Sequence, residues 1–239
     1  MMHKPATWVR IGKLIALLAV GATGLLLLFF SQLTSIPPVP DWIPSRELLT
    51  VERLEFSHDQ DGDGTNDQDD LVQGAYREAE RRPRYHSAYY AGGYPPDDEG
   101  VCTDVIWRAL QNAGYSLKEM VDEDIRKAPE DYPRVNGTPD SNIDFRRVQN
   151  LTVFFNKFAD SLTTEVIPGD PENLREWQRG DIVVFDDPLS HIGIIADQRR
   201  EDGVPYVLHN GGPYTREQDV LLDWPTPIIY HFRFPASLE

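Results

Sequence analysis

Cysteine is almost missing from this chain of 239 residues: Cys102 is the only one. One thiol makes an intramolecular disulfide impossible, so the core must hold the fold without staples. In an exported chain a lone thiol is also a candidate reactive group. Basic residues are scarce too. There are 23 Lys and Arg against 39 Asp and Glu, a net charge of -16. That balance repels phosphates and argues against nucleic acid as a partner. No internal repeat is present. With 40% apolar residues, the part of the chain beyond its N-terminal segment is enough for one ordinary domain with a real core.

The N-terminus holds the longest uncharged run, "LIALLAVGATGLLLLFF" from Leu14 to Phe30, preceded by Lys4, Arg10 and Lys13. At about 1.5 Å per residue the run spans roughly 25 Å, and its flanks bring it to a full crossing of a bilayer core. No small-x-small site follows it, so an uncleaved transmembrane anchor over 14–33 is expected, with a cleaved signal peptide as the alternative. Positive charge before the run places the tip, 1–13, in the cytoplasm and the domain in the periplasm or cell exterior. Residues 34–56 begin with "TSIPPVPDWIPS" and read as a proline-rich, semi-rigid tether.

Helical spacing marks "DLVQGAYREAERR", Thr103 to Asn112, "SLKEMVDEDIRKA" and "FRRVQNLTVFFNKFAD". After Gly180 the period changes to two, and "DIVVFDD", "HIGIIAD", "PYVLHNG" and "IIYHFRF" read as strands with short turns. Helices followed by an antiparallel meander predict an α+β domain over 71–239.

Between tether and domain lies "DQDGDGTNDQDD", residues 59–70, which fits a calcium-loop pattern. Asp59, Asp61 and Asp63 take positions one, three and five, and Gly64 takes six. Thr65 would offer its backbone carbonyl at seven, and Asp67 and Asp70 take nine and twelve. Carboxylates this dense repel one another unless a cation joins them. Position twelve is Asp rather than a bidentate Glu, and no second loop exists to pair with. The pattern is that of a single extracellular or dockerin-like loop with a structural Ca2+; a solvated acidic linker is the alternative.

Cys102 opens a predicted helix, where free backbone N–H groups favour the thiolate. The candidate bases are His191, which begins "HIGIIAD", and His209, which ends "YVLHN". Adjacent antiparallel strands can set these two side by side. Asn210 follows directly. Asp104 is either a helix cap or a site residue. Asp144, Arg146 and Arg147 in "DSNIDFRRV" either clamp a substrate carboxylate or pair to hold their own loop. Tyr85, Tyr89, Tyr90 and Tyr94 are candidate cleft walls, and Trp107 is a core residue by default.

"GVCTDVIWRAL", "PDSNIDFRRVQNL", "GDIVVFDDPLSHIGIIAD" and "HNGG" together resemble the bacterial envelope family known as domain of unknown function 1287, from about Leu71 to Phe234. That family is similar to the NlpC-type, papain-like cysteine peptidases that cut cell-wall peptides. The resemblance implies a papain-like fold, with Cys102 as nucleophile and His191 as general base and acid. It makes His209 the residue that orients His191, with Asn210 competing for that role. Two positions depart: the NlpC type usually has Asp-Cys-Ser where this chain has Val101-Cys102-Thr103, and the closer family often has His in place of Phe145. The resulting expectation is a membrane-anchored, outward-facing peptidase or amidase acting on a peptide or peptidoglycan substrate, without an organic cofactor. A non-catalytic envelope binding module and an acyltransferase using the same thiol are the alternatives.

Overall fold

The computed structural model describes residues 48–135 and 137–236; the expected anchor at 14–33 lies outside them. Among the described residues no helix is long and apolar enough to cross a membrane. The architecture is α+β. Helix α1 (Asp67–Arg81) starts where Asn66 caps it, the Asn66 side chain accepting from Asp69 N–H. Asp67, Asp69 and Asp70 occupy its first turn, where acidic groups meet the positive end of the helix dipole. Helix α2 (Cys102–Asn112) lies against it. They approach so closely that a Cβ on Gly74 would sit 2.8 Å from the Cα of Ala109. Helices α3 (Leu117–Lys127) and α4 (Val148–Phe158) follow, and a short α5 (Pro171–Arg175) is capped by Asp170.

Two short strands, β1 (Arg84–Tyr85) and β2 (Glu99–Gly100), pair in parallel. The main sheet comprises β3 (Asp160–Ser161), β4 (Ile182–Phe185), β5 (His191–Arg199), β6 (Pro205–His209), β7 (Arg216–Gln218) and β8 (Ile228–Arg233). Its spatial order is β3-β8-β4-β5-β6-β7, all antiparallel. Both faces of its centre are covered. Ile182, Val184, Ile192, Ile194 and Phe232 join the core shared with α1–α4. Val183, Phe185, Ile195 and Val207 join a second core with Trp177 and Leu221. The alternation expected of half-buried strands therefore does not appear as burial: all four residues of β4 are buried. Both alternating sets are apolar because each meets its own layer.

The expected tether ends earlier than residue 56. Leu49 and Val51 pack on the second core, and Leu49 N–H donates to Glu201 O at 3.0 Å. Leu54 is held at both ends, its N–H donating to Gln178 Oε1 and its carbonyl accepting from Arg179. Residues 48–56 form a strap on the domain because their apolar side chains have a surface to bury.

Candidate functional site

The site is assembled at one end of the sheet. Asn210, fully buried, donates from Nδ2 to Gly100 O at 3.1 Å and to Pro83 O at 3.2 Å, while its Oδ1 accepts from Gly212 N–H. It ties the end of β6 to the backbone two residues before Cys102. Both amide functions are thus used on backbone, and the expected alternative role of Asn210 as the group that orients His191 is not what the structure shows.

Cys102 is half-buried at the first position of α2. Burial acts most strongly on its thiol, and the backbone amides of Ile192, the residue after His191, and of Thr103 and Cys102 act against it. These contacts favour the thiolate, but burial outweighs them and pushes the thiol up to about 11. The expected lowering by the helix start is therefore corrected: desolvation wins, and the resting group is a neutral thiol. The phenol of Tyr85 is pushed up by desolvation first and then by its nearness to Cys102.

His191 and His209 meet as the strand pattern predicts: His191 Nε2 lies 2.7 Å from His209 Nδ1. Both are buried. Trp224 lies flat on His191, ring centroids 4.0 Å apart, and presents its plane edge-on to His209. Burial and the neighbouring His209 push His191 down to about 3, and burial brings His209 down to about 4. Both rings are neutral at pH 7. Ile192 and Ile194 point to the helix layer, so alternation sends the His191 ring to the other face. Cys102 packs with the helix-side core, and the backbone amide of Ile192, the residue after His191, lies near its sulfur. Nε2 is taken by His209, which leaves Nδ1, the ring nitrogen nearer the backbone, as the one available to sulfur. Among the described residues no hydrogen bond joins Sγ to either ring.

The expected carboxylate clamp turns out to be internal. Arg146 grips Asp104 through Nε–Oδ1 and Nη2–Oδ2 contacts of 2.8 Å each, both side chains being almost wholly buried. Asp104 also accepts from Val101 N–H at 2.7 Å and from Trp107 Nε1 at 2.8 Å. It thus closes the start of α2 from the third helical position, Val101 being the residue before the helix. Asp144 is buried and pairs with Arg147 at 2.9 Å. Neither arginine reaches out to a substrate, because each carboxylate left in the interior needs a cation of its own. Phe145 is a buried core residue in contact with Tyr94. Tyr94 also meets Trp107 of α2 at 4.8 Å, and Tyr89 bonds Asp140 and Asn142, so these two tyrosines of the predicted wall pack against neighbouring segments.

The acidic loop has the local geometry expected of it. Asp59 accepts from Gly62 and Gly64 N–H, Asp61 from Asp63 N–H, and Asp63 from Thr65 N–H. One oxygen each from Asp59, Asp61 and Asp63 lie within 4.8 Å of one another. Such a set of hard oxygens fits Ca2+. Asp70 is buried close enough that its pKa is raised to about 6, by desolvation first and then by the charges of Asp63, Asp61, Asp67 and Asp59. Asp67 departs from the pattern. Its Oδ2 holds His58 Nδ1 and the Tyr115 hydroxyl, and its Oδ1 accepts from Gln60 N–H, so it braces the loop from outside.

Comparison with known proteins adds three findings. A family model described as domain of unknown function (DUF1287) matches residues 72–234. The uncharacterized protein YijF of Escherichia coli strain K12 is 39% identical over 156 residues, covering 64% of this chain and 72% of that protein. A crystal structure of an N-acetylmuramoyl-L-alanine amidase from Bacteroides uniformis ATCC 8492 aligns with a TM-score of 0.41 at 12% identity, over 70% of this chain and 97% of that one.

Proposed function

This chain belongs to the family described as domain of unknown function DUF1287, and on that premise and the geometry of its sheet end we propose that it is a cysteine hydrolase, a peptidase or amidase of papain-like, NlpC-type design. One observation carries the reading: a buried, hydrogen-bonded histidine pair stands at the strand end where the only thiol of the chain heads a helix. In the reaction, Sγ swings from the Ile192 amide toward Nδ1 of His191 and attacks the amide carbonyl carbon. The thiol proton passes to Nδ1. The tetrahedral oxyanion is held by helix-start N–H groups, including that of Cys102. His191 then gives the proton to the leaving amine as the C–N bond breaks, and water, activated by the same nitrogen, hydrolyses the thioester. His209 accepts from His191 Nε2–H and holds the ring in place.

The target class follows from the N-terminal segment and the family resemblance: an amide of cell-wall peptide, met by a domain anchored in the membrane and facing outward. Incubation of purified muropeptides with the protein, read by mass spectrometry, is expected to give amide-cleaved products that Cys102→Ala does not make. Equal products from Cys102→Ala, or none from the wild type, would refute the hydrolase.

The acidic loop holds a structural Ca2+ through Asp59, Asp61 and Asp63, the Thr65 carbonyl and Asp70. For a site of the extracellular class, with Kd of roughly 0.1–1 mM, 10 mM Ca2+ stabilises by about 1.4–2.7 kcal/mol. Melting curves should rise by several degrees with Ca2+ and return with chelator, whereas an Asp59→Ala, Asp61→Ala protein should not respond. A wild-type Tm indifferent to both would remove calcium from this account.

A further inference from the structure

One half-buried contact chain reaches the histidine pair from the sheet edge. Register places His209 opposite Arg216 and Val207 opposite Gln218, so Gln218 is the diagonal neighbour of His209 on the same face. Arg216 Nε donates to Gln218 Oε1 at 2.7 Å, and its Nη1 donates to Gly212 O at 2.8 Å. Guanidinium nitrogens can only donate, so the Gln218 atom facing Arg216 is its oxygen. That same oxygen lies 3.3 Å from His209 Nε2. An acceptor there requires Nε2 of His209 to carry its proton. A neutral His209 then has a bare Nδ1, which accepts across the 2.7 Å contact, so His191 carries its proton on Nε2. The remaining nitrogen, Nδ1 of His191, is left as a lone pair.

We propose that Gln218, held by Arg216, is a positioning residue that sets the tautomer of both histidines and so leaves Nδ1 of His191 free to take the thiol proton. The catalytic half of this inference rests on the hydrolase reading; the tautomer half does not. Trp224 lies flat on His191 and edge-on to His209, and Gln218 supplies the acceptor. Gln218→Glu keeps an acceptor at the same place, for both Arg216 and His209. Gln218→Leu removes it and frees His209 to protonate at Nδ1, which would push the His191 proton onto its own Nδ1.

The test is long-range 1H–15N correlation of histidine side chains in the full-length, 15N-labelled protein at pH 7. The wild type and Gln218→Glu should show both His191 and His209 with Nε2–H. Gln218→Leu, checked for folding by its melting curve, should show a measurable share of Nδ1–H tautomers, with kcat lower by at least about tenfold and KM little changed. Unchanged tautomers in folded Gln218→Leu, or a doubly protonated His209 in the wild type, would overturn the proposal. If the tautomers shift as expected in a protein that cleaves nothing, the positioning role stands and the hydrolase reading fails.

Discussion

His191→Ala is expected to lower kcat/KM for cell-wall peptide cleavage by about 10²–10⁴-fold, the range in which a positioned general base acts. The size follows from the resting state. Burial keeps Cys102 protonated up to about pH 11 and keeps His191 neutral down to about pH 3. The pair therefore does not rest as thiolate and imidazolium, and the proton must move during attack. Two pH profiles follow. Because the active form of His191 is the neutral one, kcat/KM should be level through neutral pH and fall only as pH drops toward the low value at which the ring protonates. Alkylation of Cys102 by iodoacetamide needs the free thiolate, so its rate should climb roughly tenfold per pH unit from 7 toward 10. An alkylation rate already at its plateau below pH 6 would show a preformed ion pair and would sink this description of the resting site.

Arg146→Ala carries the other large effect, on stability. Asp104 is buried with four donors around it: Val101 N–H, Trp107 Nε1 and two nitrogens of Arg146. Deleting the guanidinium leaves a carboxylate in the interior without its cation, which costs about 3–5 kcal/mol. For a domain of this size each kcal/mol lowers Tm by roughly 2–4 °C, so a loss of about 6–20 °C is expected in a thermal melt. Arg146→Lys should fall between, since a lysine supplies charge but no planar fork. A Tm for Arg146→Ala within about 2 °C of wild type would mean the pair adds nothing to the fold. Because Asp104 closes the start of the helix that begins with Cys102, the same variant should also blunt thiol chemistry at temperatures where it is still folded.

Much of this was legible in the sequence, for definite reasons. Leu71 and Ala75, or Leu151, Phe154 and Phe155, repeat at the helical period because one face is buried, and the structure has α1 and α4 there. The strands β4, β5, β6 and β8 were visible as apolar runs. The strand β7 was not: Arg216, Glu217 and Gln218 are polar throughout, and they pair only because β6 offers an edge. With that strand went Gln218, whose place beside His209 depends on register. Trp224 escaped for a similar reason, since a stacked ring leaves no periodic trace. The Arg146–Asp104 pair spans 42 residues of chain, a distance over which composition is silent. The charge-dense loop stands out in the sequence by its Asp and Gly spacing, and its carboxylates bond the loop's own backbone N–H groups. Asp67 was misplaced because its partner Tyr115 comes from beyond α2.

The strap at 48–56 has a mechanical consequence. Its anchors lie in series along the chain: the Leu49–Glu201 hydrogen bond, Arg53 against Asp69 and Asp197, then Leu54 between Gln178 and Arg179. A pull applied at residue 48 loads them one after another, as a zipper opens, and reaches Asp69 of α1 and Asp197 of β5 only through the side chain of Arg53. The strap therefore works as a sacrificial strain relief: under traction its side-chain contacts yield first, before the backbone ladders that hold His191 and His209 have to open.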